Sequence, residues 1–431
     1  MLPKAHLRAL LLIFLLAGCQ SAPARPTPAP VGPTSVPTAA PRLTAVPPVT
    51  AVSAPTPPPS ALVLWAIAEG PELAALRALL ADLGQTLGVE VAVVGKSADG
   101  MLADIRADAL SSVRPPDLLW GTQEELASLQ AAGLLQPPDD RLDDAAFLPA
   151  VIAGATLEGR RWGTPVAAQG ALLLLYNRGS VDRPPRTTDE LIASARRLTG
   201  GDRYGLVAGW AEPRWFSAWL AGFGATPISP DGAPTLDTPQ TVAALNLVRE
   251  LRSSGPPPPS TYQDGVRLFR RGRAAFAIDG DWSLEGYRAY SDTLDLGIAP
   301  LPVVDATGLA AAAPLDGIYL MYSRALDGER LSQARALGAA LAQPAAQARI
   351  ARELQRLPAL RAALADPAVT GDPALAAAAA SAERAAALPP IQGLRCAWGA
   401  IRAELPPVLM GEQTQADAAA AMQADALACQ R

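Results

Sequence analysis

The chain has 431 residues, half of them apolar, which is enough for two domains with sizeable cores. Its formal net charge of −5 argues against nucleic acid or an anionic membrane surface as a partner. Lysine occurs only at Lys4 and Lys96, and the far more numerous arginines are spread along the chain rather than gathered in a patch.

At the N-terminus, Lys4, His6 and Arg8 precede an apolar run from Ala9 to Ala17, too short to span a bilayer and of the length of a signal-peptide core. It closes with Leu16-Ala17-Gly18-Cys19, a tetrad that resembles a bacterial lipobox. The resemblance implies a signal peptide at 1–18, cleavage before Cys19 and lipid on that thiol, hence an extracytoplasmic protein anchored to the cell membrane. No later apolar stretch is long enough to cross. Residues 19–60 are Pro, Ala, Thr, Ser and Val with almost no charge and no apolar period, a composition expected of an extended tether. With Cys19 assigned to lipid, Cys396 and Cys429 remain, an even pair in an exported chain. They are expected to form a disulfide tying the C-terminal tail to the body, two free buried thiols being the alternative.

From Ala61 the chain alternates strand and helix. Ala61 to Ile67 reads as a strand, Glu69-Gly70-Pro71 opens a helix to about Leu87, and Val89 to Val94 is a second strand. A helix around Asp99 to Leu110, a strand at Asp117 to Trp120 and a helix from Gln123 to Ala132 follow. This βαβαβ order implies parallel strands with right-handed crossovers and ligand at their carboxyl ends. That rule singles out Trp65 and Glu69 after the first strand, and Trp120, Gly121 and Thr122 after the third. Arg160 to Asn177 reads as one strand leaving this first domain. Thr187 and Glu190 make a capping-box pattern before a helix ending near Gly200. Trp215, Trp219 and Phe223 share a helical face, and Val242, Leu245, Val248 and Leu251 form an apolar stripe. Ala274 to Ile278 reads as a buried strand, ended by Asp279-Gly280-Asp281, with Trp282 at the start of a helix. A strand near Gly317 to Tyr322 precedes an Ala-rich helical remainder.

The only histidine is His6, in the signal segment, so the mature chain has no imidazole for a catalytic triad, general base or zinc site. No phosphate-binding glycine loop follows a strand, and no cofactor or metal is expected. Tryptophan, at 8 residues, outnumbers tyrosine at 7 and phenylalanine at 6. An indole offers a flat apolar face to the C–H face of a sugar and one N–H donor, while neighbouring carboxylates accept from hydroxyls.

The ordered pieces resemble the bacterial extracellular solute-binding proteins of ABC importers, in the maltose-binding branch, from Ala61 to about Ala428. The carriers are Pro116-Asp-Leu-Leu-Trp-Gly with Leu129-Gln-Ala-Ala-Gly-Leu-Leu135, Gly163-Thr-Pro-Val with Leu175-Tyr-Asn, and Pro185-Arg-Thr-Thr-Asp-Glu-Leu191. Glu212-Pro213, the run from Phe269 to Trp282, and Leu357-Pro358-Ala-Leu-Arg361 complete them. The resemblance implies the two-lobed periplasmic-binding-protein fold of type II: two α/β lobes joined by hinge crossovers, with the ligand cleft between them. Lobe 1 would be 61–167 and 319–362, and lobe 2 171–314 and 367–431. It implies a monomer that binds a small polar solute, most readily a sugar or oligosaccharide, and delivers it to membrane permeases. A sensor or adaptor lipoprotein on the same fold, or a carbohydrate-active enzyme using a carboxylate pair, are the alternatives. By position, Trp282 and Trp398 fall on the family's stacking aromatics, and Glu212 on an acidic hydroxyl-binder with Arg214 or Trp215 beside it. Trp120-Gly121 falls on an aromatic strand end, Glu124 on a second acidic binder, and Gln169 replaces a carboxylate near the hinge. Asp281 lies beside the Trp282 ring.

Overall fold

The computed structural model describes residues 60–110, 115–138, 141–257, 260–387 and 392–431. Cys19 and the segment 1–59, which carry the signal and tether expectations, lie outside them.

The first strand, β1 (Leu62–Ile67), buries Leu62, Leu64 and Ala66 and half-buries the residues between them, the alternation of a strand with one face on a core. The helix Gly70–Leu87 has proline in its first turn, where no intrahelical donor is needed, and stops at Gly88, whose φ of 68° allows its N–H to turn back onto Gly84 and Gln85 carbonyls. The strands β2 (Val91–Lys96) and β3 (Leu118–Thr122) pair parallel to β1 on either side, as the βαβαβ pattern requires. A longer strand, β4 (Gly163–Gln169), returns from later in the chain.

The expectation of one strand over Arg160–Asn177 is corrected here. The chain breaks at Gly170, where φ is +89°, and a separate strand, β5 (Leu172–Asn177), begins in a different sheet. Only glycine takes that turn without strain. A Cβ at Gly170 would also stand 2.7 Å from Arg214 Nη1. The strand β5 is buried throughout, matching its run of four leucines. With β6 (Tyr204–Ala208), β7 (Ala274–Gly280) and β8 (Leu296–Ala299) it forms a four-stranded sheet in the order β8–β5–β7–β6. The last long strand, β9 (Asp316–Ser323), goes back to the first sheet and lies antiparallel between β4 and β3. The two sheets are the centres of two α/β lobes, crossed between at Gly170–Ala171 and again at Pro314–Asp316.

Three apolar clusters follow. One fills the second lobe around Leu174, Phe216, Trp219 and Phe276, and one the first lobe around Leu64, Leu79 and Leu320. The third runs from Leu119 and Met321 through Ala168, Ala171 and Leu315 to Leu173 and Phe269, so apolar packing is continuous along the crossovers. In the second lobe, the expected stripe on the helix Pro239–Arg252 buries Leu245, Val248 and Leu251. The capping box before the helix Thr188–Arg197 is half right: Thr187 accepts from the Glu190 N–H, but the Glu190 carboxylate turns to the N–H of Arg186. The helices Gln392–Met410 and Gln415–Gln430 pack together, joined by a Cys396–Cys429 disulfide. Among the described residues, no helix is long and apolar enough to cross a membrane.

Candidate functional site

The strand β7 is buried along its whole length, and its last residues build the site. Gly280 is needed for space: a Cβ there would stand 2.2 Å from the Trp282 ring. The chain then turns through Asp281–Ser283, and the Ser283 hydroxyl donates to the Gly280 carbonyl at 2.6 Å. Trp282 is left 48 % exposed, in contrast to Trp219 at 2 %. Leu87, Tyr290, Met410 and Leu427 are exposed as well, but Trp282 is the one tryptophan among the exposed large apolar side chains described.

The ring is supported from beneath. Trp215 meets it edge-on, centroids 6.0 Å apart, and donates its own Nε1–H to the Ile278 carbonyl at 2.7 Å. Tyr262 packs 5.5 Å from Trp215, and its hydroxyl donates to Asp279 at 2.8 Å. Tyr287 donates to the other oxygen of the same carboxylate at 2.5 Å. Burial pushes the Asp279 carboxyl above the ordinary range, with the tyrosine donors pulling it back. Burial and the neighbouring carboxylate hold both tyrosines protonated, which keeps them donors.

Beside the ring lies Arg214, whose guanidinium carbon is 5.9 Å from the Trp282 centroid and 5.8 Å from that of Trp398, on the helix Gln392–Met410. Both distances are within cation–π reach. The Trp398 indole N–H is buried and has no hydrogen-bond partner among the described residues. Trp282 also lines a cavity of about 430 Å3 together with Glu69, Glu72, Asp281, Glu285, Arg288 and Arg356. Its walls come from the helix Gly70–Leu87 and the segment 353–357 on one side, and from the turn after β7 on the other. Glu72 holds Arg356 in a two-pronged ion pair, both contacts 2.9 Å, and Arg356 also donates to Gln169.

Of the expected site residues, Glu69, Asp281 and Trp282 share this cavity, and Trp215 and Trp398 lie within contact of Trp282 or its arginine neighbour. Asp281, expected beside the Trp282 ring, bonds the backbone of the crossover. Its oxygens accept from the N–H groups of Gly170 and Ala171 at 3.0–3.2 Å, clamping the β4–β5 crossover to the turn that carries Trp282. Burial raises its pKa, while Arg356 and these backbone donors act in the opposite direction. Trp120 is a correction. It is 2 % exposed in the first-lobe core, because strand alternation points it to that face with Ala66 and Leu320, its partners across the sheet. Trp65 is half-buried under Lys96 Nζ, 3.9 Å from its centroid, and is not part of the cavity wall. Gly121 sits in close packing, where a Cβ would stand 3.2 Å from Met321 and 3.4 Å from Glu125. Glu124 is exposed on the helix Gln123–Ala131, and Glu212 forms an ion pair with Arg402 at 3.2 Å. The residues not anticipated are Tyr262, Asp279, Glu72, Arg356 and Asp316, whose carboxylate Arg214 Nη2 bonds at 2.9 Å. They join segments up to 284 residues apart in the chain, as Arg356 and Glu72 are, and no local spacing signals such pairs.

A second cavity of about 830 Å3 is lined by Phe147, Pro149, Ile152, Ala221, Ile228 and Leu394 among others. It is larger but mostly apolar and holds none of the expected binding residues. A hydroxyl-rich ligand needs hydrogen-bond partners and a stacking face, which the smaller cavity has.

Residues 78–377 match the family model described as bacterial extracellular solute-binding protein. The maltotriose-binding protein of Pyrococcus abyssi is 25% identical over 309 residues, covering 70% of this chain and 67% of that protein. Among solved structures, a cyclo/maltodextrin-binding protein complexed with maltotetraose superposes with a TM-score of 0.74 at 24% identity, over 87% of this chain and 97% of that one. The Thermus thermophilus maltotriose-binding protein bound to maltotriose gives 0.64 at 21% identity, over 86% and 100%. These likenesses carry the two-lobed fold, and the family match carries the class: the chain belongs to the bacterial extracellular solute-binding proteins.

Proposed function

We propose that the protein captures a neutral oligosaccharide, of the maltodextrin class, between its lobes and hands it to ABC-type membrane permeases. The observation that carries this reading is Trp282. It presents a half-exposed indole to a cavity that carries charged side chains and is walled by segments of both lobes, in a chain whose curated relative is a maltotriose-binding protein. One indole face stacks on the C–H face of a sugar ring, Trp398 continues the aromatic surface, and Glu69, Glu285 and Arg288 bind hydroxyls. Glu212, Glu124 and Gln169 remain candidates for contacts further along a longer ligand. The lobes, 61–167 with 319–362 and 171–314 with 367–431, close on the ligand by bending at the crossovers. Cys19 carries lipid and residues 19–60 act as the tether, holding the protein at the outer face of the membrane as a monomer.

Thermal unfolding with a panel of maltotriose, maltotetraose, a glycerol phosphate and a polyamine tests the reading. A ligand at a hundred times its Kd stabilises by about 2.7 kcal/mol, so the maltodextrins should raise Tm and the charged solutes should not. A shift with a charged solute alone overturns the sugar assignment. For the anchor, Cys19→Ser should abolish lipid labelling, and normal labelling of that variant removes it.

A further inference from the structure

Arg214 stands on the second residue of the helix Pro213–Gly222 in the second lobe, yet every hydrogen bond it makes is to the crossovers. Its Nη1 donates to the Gly170 carbonyl at 3.2 Å, in the turn between β4 and β5, and to the Pro314 carbonyl at 2.7 Å, on the approach to β9. Its Nη2 bonds the Asp316 carboxylate at 2.9 Å, at the first residue of β9. Asp316 accepts with its other oxygen from Gln123 Nε2 at 3.2 Å, on a helix of the first lobe. One guanidinium therefore ties two of the connections between the lobes to each other, and through Asp316 to the opposite lobe. The same guanidinium lies between Trp282 and Trp398. Arg214 and Asp316 are both largely withdrawn from water, with side-chain exposures of 17 % and 21 %, so their attraction is weakly screened.

We propose that Arg214 is a positioning residue that couples the ligand-facing tryptophans to the hinge. Bending at Gly170 and Asp316 moves the guanidinium, and the guanidinium sets the spacing and tilt of Trp282 and Trp398. A sugar stacked on those rings thereby favours one hinge angle, and the hinge angle in turn sets sugar affinity, as reciprocity requires. The planar fork suits the place because two separate nitrogens reach the three acceptors while the guanidinium carbon stays 5.9 Å and 5.8 Å from the two ring centroids, whereas a lysine ammonium donates from a single nitrogen. The inference rests on the sugar-binding reading for its ligand half and on the crossovers alone for its hinge half.

The test uses the exported protein and its variants Arg214→Met, Arg214→Lys and Asp316→Asn, with maltotriose as the probe. Solution X-ray scattering without sugar reads the hinge, and calorimetric titration reads the site. Expected for Arg214→Met is a larger or broader ligand-free envelope and a maltotriose affinity roughly 5- to 150-fold weaker, the usual span of a coupling of this kind. Arg214→Lys should resemble Arg214→Met more than the wild type. Ligand-free scattering superimposable on the wild type in both variants, with affinity within about twofold, overturns the proposal even if Tm falls, because that is the signature of a merely structural residue. If Arg214→Met does not fold, Asp316→Asn decides: it keeps an oxygen acceptor but weakens the tie, and should shift the envelope in the same direction. Wild-type protein that binds no maltotriose overturns the sugar reading instead, and the ligand-free scattering still judges the hinge half.

Discussion

At the scale of single residues, Trp282 and Trp219 separate two roles of the same side chain. Trp282→Ala should weaken maltotriose binding by about 2–4 kcal/mol, the size of an aromatic hot spot, with a small change in Tm. Trp219→Ala, which empties a fully buried site in the second-lobe core, should cost about 3–5 kcal/mol of stability. Titration calorimetry paired with thermal unfolding reads both, and the reverse pattern would make Trp282 a core residue. The buried carboxyls give a pH signature. Asp279, Asp281 and Asp316 all have folded pKa values raised above the usual carboxylate value, so in the window above it the folded state keeps protons that the unfolded chain has released. Their contribution to stability is therefore full below the ordinary carboxylate range and falls as pH rises through the folded values. Asp279→Asn removes one such group, and its Tm should decline less steeply than the wild type's as pH rises above the ordinary carboxylate range. An unchanged slope would mean that Asp279 is ionised in the fold as readily as in the unfolded chain.

At the scale of elements, most strands and helices were legible because their signals are local. Proline at the start and glycine at the end bound the helix Gly70–Leu87, and β7 is an unbroken apolar run closed by Asp-Gly-Asp. The break between β4 and β5 was missed for a physical reason. Strand-like residues flank Gly170 on both sides, and only the tertiary course of the chain, with Arg214 packed against the turn, shows that the backbone changes sheet there. The disulfide belongs to this scale as well. It closes a loop of 33 residues between the two C-terminal helices, and replacing Cys396 and Cys429 by serine should lower stability by about 2–5 kcal/mol. Denaturant unfolding of that double variant checks the figure. A midpoint equal to the wild type's would mean that the packing of those helices, not the cross-link, holds the tail.

For the whole molecule, the two-lobed architecture was legible only through the family resemblance that the order of weak motifs carries, and the site was only partly readable. Trp398 was placed only by the family resemblance and Trp215 on a helical face, whereas Trp282 stood out at a strand end. Trp120 satisfied the same rule and is core, because a strand end has two faces and sequence position alone does not choose between them. The contacts that organise the cleft, Arg214 with Asp316 and Asp281 with Gly170, span 102 and 111 residues. They exist only once the lobes have been assembled. The central claim is that a neutral oligosaccharide lies between the lobes against Trp282, and the crystal structure of the protein grown with maltotriose tests it most directly. The account predicts a sugar ring stacked on the open face of Trp282, at the van der Waals separation of about 4 Å, with hydroxyls bonded to residues of both lobes. A sugar bound elsewhere, with the face of Trp282 left in solvent, would contradict it.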